Sequence, residues 1–366
     1  MHTLKATVGY LRGGMLSIAN VVLRTAVIAS GAQDARVRGQ WATGTASESP
    51  LSTRTGLLHD VAVSTALRTS AASVPPTLTQ QLTKVTLVTP SDDLPGLLAN
   101  ASDDDVFELA DGSYKYKCRS SGMLELTAGS LTVRARNAGR AVIDGQQECR
   151  VLYVAAAGSR LVLDGLNVTG GREGDGAGGG MFIGGSSQVT VSNSRIYSNG
   201  ARQAGAGIYI EGSAQVNITS TSIYSNTAEG TGGGGVAILG GNVSFDSCNI
   251  HDNQAYYGTY LPGAGVYISG SAHVIIANTG IYYNTASGGG GVAIDSGNVS
   301  FIRCDIYDNQ ATKAGGVYNR DGAITTDDFT AIHHNIPTDC DGDPSWTQPA
   351  CGRQPTRSVA LAESTT

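Results

Sequence analysis

A segment written twice constrains this chain more than any other feature. Residues 232–255, GGGGVAILGGNVSFDSCNIHDNQA, return at 288–311 as GGGGVAIDSGNVSFIRCDIYDNQA, with 18 of 24 positions identical at an offset of 56 residues. The 56-residue unit is itself two turns of a shorter one. Ile-x-x-Asn recurs as IYSN, IYSN, IHDN, IYYN, IYDN and IHHN, ending at Asn199, Asn226, Asn253, Asn284, Asn309 and Asn335, at intervals of 27, 27, 31, 25 and 26 residues. A period of this size dictates the fold before any local propensity is considered.

Each period holds three short segments. Ahead of the Ile-x-x-Asn motif lies an alternating run: QVTV from Gln188, QVNI from Gln215, NVSF from Asn242, HVII from His273 and NVSF from Asn298. Ahead of that, a glycine cluster opens a third segment such as GMFI, GIYI or GVAI. Alternating apolar residues between glycine-rich corners are how strands with one buried face are written, and none of these runs is long enough for a helix. A period near 27 leaves no room for a crossover helix, so the strands must stack on their own copies. The expected fold is all-β: a single-stranded parallel β-helix of about eight coils, three short strands per coil. Each coil then advances about 4.8 Å and sets every side chain over its counterpart.

Columns can therefore be read off the repeat. Ile196, Ile223, Ile250, Ile281, Ile306 and Ile332 form an unbroken isoleucine stack that belongs in the core. Two residues earlier, also inward, come Ser194, Thr221, Cys248, Thr279, Cys304 and Thr330, a small column that leaves space for the branched one. The Asn column reads as an amide ladder, structural in role, at a bend where Asn tolerates the left-handed conformation. Glycines supply corners that larger residues would strain.

The same pattern reaches upstream in weaker form. RLVLDGLNVTGG at 160–171 lies over QVTVSNSRIYSN, and SLTVRARNAGRAVIDG supplies earlier strands. LPGLLANASDDDVFELADGSYKY reads as a short helix followed by a strand and a turn, the N-terminal cap that a solenoid needs over its open end. The division is residues 1–85 as a leader or low-complexity segment, 86–345 as the β-helix with its cap, and 346–366 as a disordered tail. Residues 1–85 carry eight Lys or Arg against three acids, the remaining 281 residues 16 against 27. A body of that sign disfavours nucleic acid and bulk attraction to anionic polymers. Within the leader, MLSIANVVLRTAVIASGAQ has the apolar run and small-residue end of a secretory signal, interrupted by Arg24; an acid-poor, Arg- and Ser-rich leader is also how organelle transit peptides look. Secretion or cell-surface display is the expectation and organelle targeting the alternative. No stretch of 18 uncharged apolar residues suggests a transmembrane helix.

The pairing of GGGV or GAGI with a later IYxN resembles the repeats of polymorphic outer membrane proteins and related right-handed β-helix proteins of the pectate-lyase-like superfamily. DDDVFELADGSY followed by LTVRA and AVIDG is similar to the way such solenoids begin. The resemblance covers roughly residues 90–345. It implies a right-handed coil and an exported or surface-displayed protein, with polysaccharide-cleaving or epimerising enzymes among its relatives. Outer membrane members end in a membrane barrel; no alternating barrel segments follow residue 345, so a passenger with its own barrel is not expected here.

Cys118 and Cys149 are 31 residues apart, near one coil length, which permits a bridge between adjacent coils, and Cys340 with Cys351 would staple the C-terminal segment. Cys248 and Cys304 share a column with Thr279 between them, about 9.6 Å apart and out of disulfide reach, so buried free thiols are expected. Asn-x-Ser/Thr sequons occur at Asn100, Asn167, Asn217, Asn242 and Asn298, of which Asn242 and Asn298 hold equivalent outward positions that would suit a glycoprotein.

Two sets of residues are candidates for function. Stacked aromatic residues form the first: Tyr197, Tyr224, His251, Tyr282, Tyr307 and His333 in one outward column, and Phe182, Tyr209, Ala237, Tyr267, Ala293 and Tyr318 in a second, with Tyr256, Tyr257 and Tyr260 in a longer loop. A flat amphipathic strip of this kind would bind sugar rings or a protein partner, while stacking that merely stabilises neighbouring coils is the plainer reading. Carboxylates form the second: Asp252 and Asp308 in one column, Tyr283 between them and His251 beside them. Their separation of about 9.6 Å lies at the upper edge of the range for inverting glycosidases. Basic residues such as Arg172, Arg195, Arg202, Arg303, Lys313 and Arg320 are dispersed, and no Arg-Lys cluster of the kind a lyase needs emerges. No cofactor or metal motif is present; calcium is the one ion that the acidic turns SDDD at 102–105 and DCDGD at 339–343 would suit. The reading is a monomeric, non-catalytic structural or adhesive module whose partner is a polysaccharide or a surface protein, with a polysaccharide lyase, hydrolase or epimerase as the alternative.

Overall fold

The computed structural model describes residues 84–126, 129–230, 232–256, 263–342 and 350–354. The leader reading for 1–85 and the tail reading for 346–366 fall almost wholly outside the described residues, as do Tyr257 and Tyr260. Three parallel sheets run the length of the body. The first has ten strands, from Val85–Val88 to Ala323–Thr326; the second has nine, from Gly112–Tyr114 to Ala331–His333; the third has nine, from Leu124–Leu126 to Cys340–Gly342. Successive strands fall in the first, second and third sheet in turn, so the chain climbs about eight turns of a parallel β-solenoid. Its register is the repeat itself. Gln188, Gln215, Asn242, His273 and Asn298 pair in sequence, and the weaker segment at 160–171 pairs Arg160 with Gln188 and Val168 with Ile196.

Alternation decides which face is buried. The six isoleucines of the repeat are fully buried, and so is the column from Ser194 to Thr330. Burial of one such isoleucine contributes about 1.5–3 kcal/mol, and the identical residue above and below leaves no step in the packing. Hydroxyls in the small column do more than save space: the Thr221, Thr279 and Thr330 oxygens accept from the N–H of Ser194, Cys248 and Cys304 one turn away.

The Asn ladder runs unbroken. Nδ2 of Asn199, Asn226, Asn253, Asn284 and Asn309 each donates to Oδ1 of the next rung at 2.9–3.0 Å, and the same oxygen accepts the backbone N–H of the rung that donates. It ends on Asp339, whose Oδ1 accepts both donors of Asn335, and begins at Gly171, whose N–H donates to Asn199. One expectation is corrected. The left-handed residue at this bend is not Asn but the one before it: Ser198, Ser225, Asp252, Tyr283, Asp308 and His334, with φ between 51° and 56°. That backbone turn swings the following Asn side chain inward, where it is buried and satisfied.

A fourth, four-stranded sheet of two-residue strands follows the ladder directly: Arg172–Glu173, Gly200–Ala201, Thr227–Ala228 and Gln254–Ala255. Two residues carry no alternation, so this element has no signature in the sequence. Glycine is required beside it. A Cβ at Gly235 would meet Gly265 O at 2.6 Å and Asn253 Nδ2 at 3.0 Å, and Gly207 and Gly265 stand in the same position one turn away on either side.

The ends are closed by different means. At the N-terminal end the helix Leu94–Ala99, capped by Asp93 on the Gly96 N–H, buries Leu94 and Leu98 against the first coil. At the other end Ala350 and Gly352 bond Ile332 and extend the second sheet by one bridge, and Cys351 is bonded to Cys340 with Cα atoms 6.0 Å apart. Cys118 and Cys149 form a second disulfide, Cα atoms 5.9 Å apart. Cys248 and Cys304 are free and buried.

Candidate functional site

The first aromatic column is continuous. Tyr197, Tyr224, His251, Tyr282, Tyr307 and His333 occupy equivalent positions on consecutive second-sheet strands, with ring centroids 4.9–5.6 Å apart and planes within 15° of parallel; the first five are half-buried, whereas His333, expected outward, is buried. Strand spacing sets that distance, since rings on neighbouring rungs meet near optimal stacking. The geometry changes what the strip can do. Each ring covers the faces of its neighbours, so the stack shows solvent its edges and hydroxyls, not a flat platform. Burial in the stack raises the Tyr224 phenol and pushes Tyr307 up to about 12, with Tyr282, Asp305, Tyr283 and Asp308 adding to it. These hydroxyls are donors at every physiological pH.

The second column is not continuous, which corrects the expected strip. Phe182 stacks between Tyr153 and Tyr209, but Ala237 and Ala293 are buried, and Tyr209 and Tyr267 pack over Ala237 instead of over each other. Tyr209 donates to Glu211, and burial pushes its phenol up to about 12. Alternation placed these alanines outward; at Ala237 the larger side chains in the turns on either side close over it.

The carboxylates lie on the edge of the first column. Asp252, Tyr283 and Asp308 occupy the exposed left-handed position on three consecutive rungs, one residue beyond His251, Tyr282 and Tyr307. His251 Nδ1 is 2.7 Å from Asp252 Oδ2. The acids are two turns apart with Tyr283 interposed. Tyr283 is set crosswise, its ring at 85° to Tyr282 and 70° to Tyr307, and is 54% exposed. Sequence reasoning missed Asp305 and His334. His333 Nε2 is 2.8 Å from Asp305 Oδ1, and its Nδ1 is 2.9 Å from Nδ1 of His334. Alternation could have found Asp305, which shares an outward face with Tyr307; nothing in the repeat marks His334.

Several of the cations are held in ion pairs, Arg320 with Asp295 among them. Arg150 is buried, donates to the carbonyls of Ser121, Ala177 and Gly178 and pairs with Glu173; Arg202 pairs with Asp175 and Arg172 with Glu229. The acidic turns are used by the backbone: Asp103 accepts from Ser130, Asp105 from Ser102 and Asp339 from Asn335. Among the described residues no group of three or more His, Cys, Asp or Glu is gathered as metal ligands, and no helix is long and apolar enough to cross a membrane. Of the sequons, Asn217, Asn242 and Asn298 are exposed on the first sheet, whereas Asn167 is buried and donates to Gly139 O.

The family model for a right handed beta helix region matches residues 179–342, which agrees with the topology and gives the coil its hand. No curated protein sequence matches the chain. Similar solved structures include the pectate lyase Pel9A, 15% identical over 71% of this chain and 74% of that one, TM-score 0.47. The family PL6 alginate lyase AlyGC is 18% identical over 66% of this chain and 37% of its own length, TM-score 0.37. Escherichia coli YbhC is 15% identical over 69% of this chain and 74% of that one, TM-score 0.36. The fold is a parallel β-solenoid with a right-handed β-helix region matched over residues 179–342, and likenesses at these scores say nothing of substrate.

Proposed function

We propose that this chain is a non-catalytic structural or adhesive β-helix, exported or displayed at the cell surface, that holds a polysaccharide along the outside of its second sheet. The observation that supports it is the uninterrupted stack from Tyr197 to Tyr307, which repeats polar ring edges at the strand spacing over five turns. An extended polymer lying along the solenoid axis meets an equivalent group on every rung, so weak contacts add. Export agrees with the likeness of the repeats to those of polymorphic outer membrane proteins and with two disulfides.

The test is the full chain against neutral and acidic polysaccharides, with and without calcium, recording retention and chain cleavage together. Retention without cleavage, weakened in Tyr282→Ala and Tyr307→Ala, is expected. Cleavage that disappears in Asp252→Asn or Asp308→Asn would overturn the reading in favour of a polysaccharide-active enzyme. Neither binding nor cleavage leaves a scaffold for a surface protein.

A further inference from the structure

Resting on the reading that this face holds a glycan, we infer that its ligand is an uncharged sugar chain anchored on the open face of Tyr283 between the carboxylates of Asp252 and Asp308.

Ring orientation is the first observation. Within the stack both faces of Tyr224, His251, Tyr282 and Tyr307 are covered by neighbouring rings 4.9–5.6 Å away, whereas Tyr283 lies across Tyr282 and Tyr307 and is 54% exposed. His334 also stands crosswise, at 82° to His333, but its Nδ1 is engaged with that ring. Tyr283 thus offers a broad apolar face, the surface on which the C–H side of a sugar ring packs.

Backbone conformation is the second. The column is otherwise filled by Ser198, Ser225, Asp252, Asp308 and His334, polar residue types that enter the left-handed region more readily than tyrosine does, yet Tyr283 holds φ 54°. A bulky residue in that region is an outlier. Strain retained at a half-exposed position, whose ring contacts are the edgewise ones to Tyr282 and Tyr307, points to a use for it.

Charge is the third. In the three turns from Asn249 to Gln310 the one Lys or Arg is Arg303, at the opposite corner of the second sheet and over the ring of Phe329; the outward columns and the corner that carries Tyr283 read Asn249, Gly280, Asp305; His251, Tyr282, Tyr307; Asp252, Tyr283, Asp308; and Gln254, Thr285, Gln310. They hold three carboxylates and no Lys or Arg. Such a surface repels a polyuronate and accepts hydrogen bonds from sugar hydroxyls, which are short and strong when the acceptor is ionised. Because acceptor, ring face and acceptor succeed one another at about 4.8 Å per rung, the sugar chain runs parallel to the solenoid axis.

Titration calorimetry of the full chain with neutral glucose- and xylose-based oligosaccharides and with oligogalacturonate, at low and high salt, tests this. Neutral oligomers are expected to bind with little salt dependence. Tyr283→Ser, which installs the residue found at Ser198 and Ser225, should lower that affinity about tenfold or more with an unchanged circular dichroism spectrum, while Tyr283→Phe keeps it. The double variant Asp252→Asn, Asp308→Asn should weaken neutral binding and admit oligogalacturonate. A wild type that prefers oligogalacturonate sinks the uncharged-ligand inference and leaves the glycan reading standing. Neutral binding untouched by Tyr283→Ser sinks it too, by placing the site elsewhere. Failure of every glycan to bind removes the underlying reading.

Discussion

Asn253 shows how much one residue holds in this fold. Its Oδ1 accepts two bonds from Asn226 and its Nδ2 donates to Asn284 and to Ile223 O, all in a fully buried setting. Asn253→Ala takes the acceptor from two Asn226 donors and the donor from Asn284 Oδ1 and Ile223 O, at about 1–3 kcal/mol for each orphaned group, so a fall of about 3 kcal/mol or more in unfolding free energy is expected from denaturant titration. Cys304 is the opposite case. Burial pushes its thiol up to about 12 and that of Cys248 to about 11, so neither should react with a thiol reagent at pH 8 until the chain unfolds. Cys304→Thr should cost less than about 1 kcal/mol, because Thr279 and Thr330 already fill the same position one turn away on either side. Tyr283→Asn should raise stability by about 1 kcal/mol through relief of its left-handed strain, even as ligand affinity falls.

At the scale of the element, three strands per turn are too short to be stable alone and become stable by pairing with their copies. The corners decide whether that pairing is possible. Gly235→Ala would drive a methyl group into Gly265 O and Asn253 Nδ2, neither of which can retreat without moving the rung above. A loss of several turns' cooperativity is expected, visible as faster amide exchange across Val236–Ile238 and Val266–Ile268 and not only at the mutated corner. The two-residue strands after the ladder have no apolar face of their own. They exist because the Asn rungs and the glycine corners fix the chain on both sides of them.

For the whole molecule, stacking identical turns means that protection is needed chiefly at the ends. The Cys340–Cys351 disulfide closes a loop 11 residues long and holds Ala350 and Gly352 on Ile332. Cys340→Ser with Cys351→Ser should lose about 3 kcal/mol of local stability, read as rapid exchange of the Ile332 amide and early C-terminal proteolysis, with the centre of the solenoid unchanged. Stability should also respond to alkali. Burial, with nearby phenols and carboxylates, pushes Tyr114, Tyr209 and Tyr307 up to about 12 from an ordinary value of 10.0. Between those values the folded state keeps protons that the unfolded chain has released. Their stabilisation is therefore complete below pH 10 and is lost as pH rises towards 12, which a series of melting curves with tyrosinate absorbance would show.

Periodicity alone carried the solenoid, its register, the isoleucine core, the small column and the Asn ladder. Each of these repeats because every turn must offer its neighbours the same inward shapes, and a constraint that recurs leaves a written trace. What tertiary structure decided was everything that depends on direction at a single rung. The sequence placed Tyr283 in a column of carboxylates and Ala237 in a column of rings. Only the fold shows that the rings of the Tyr197–His333 stack face one another, that Tyr283 lies across the stack half exposed, and that Ala237 is closed over by Tyr209 and Tyr267. A column is a property of spacing, which sequence records; the orientation of a ring is set by the residues above and below it, which only the packed turns bring together.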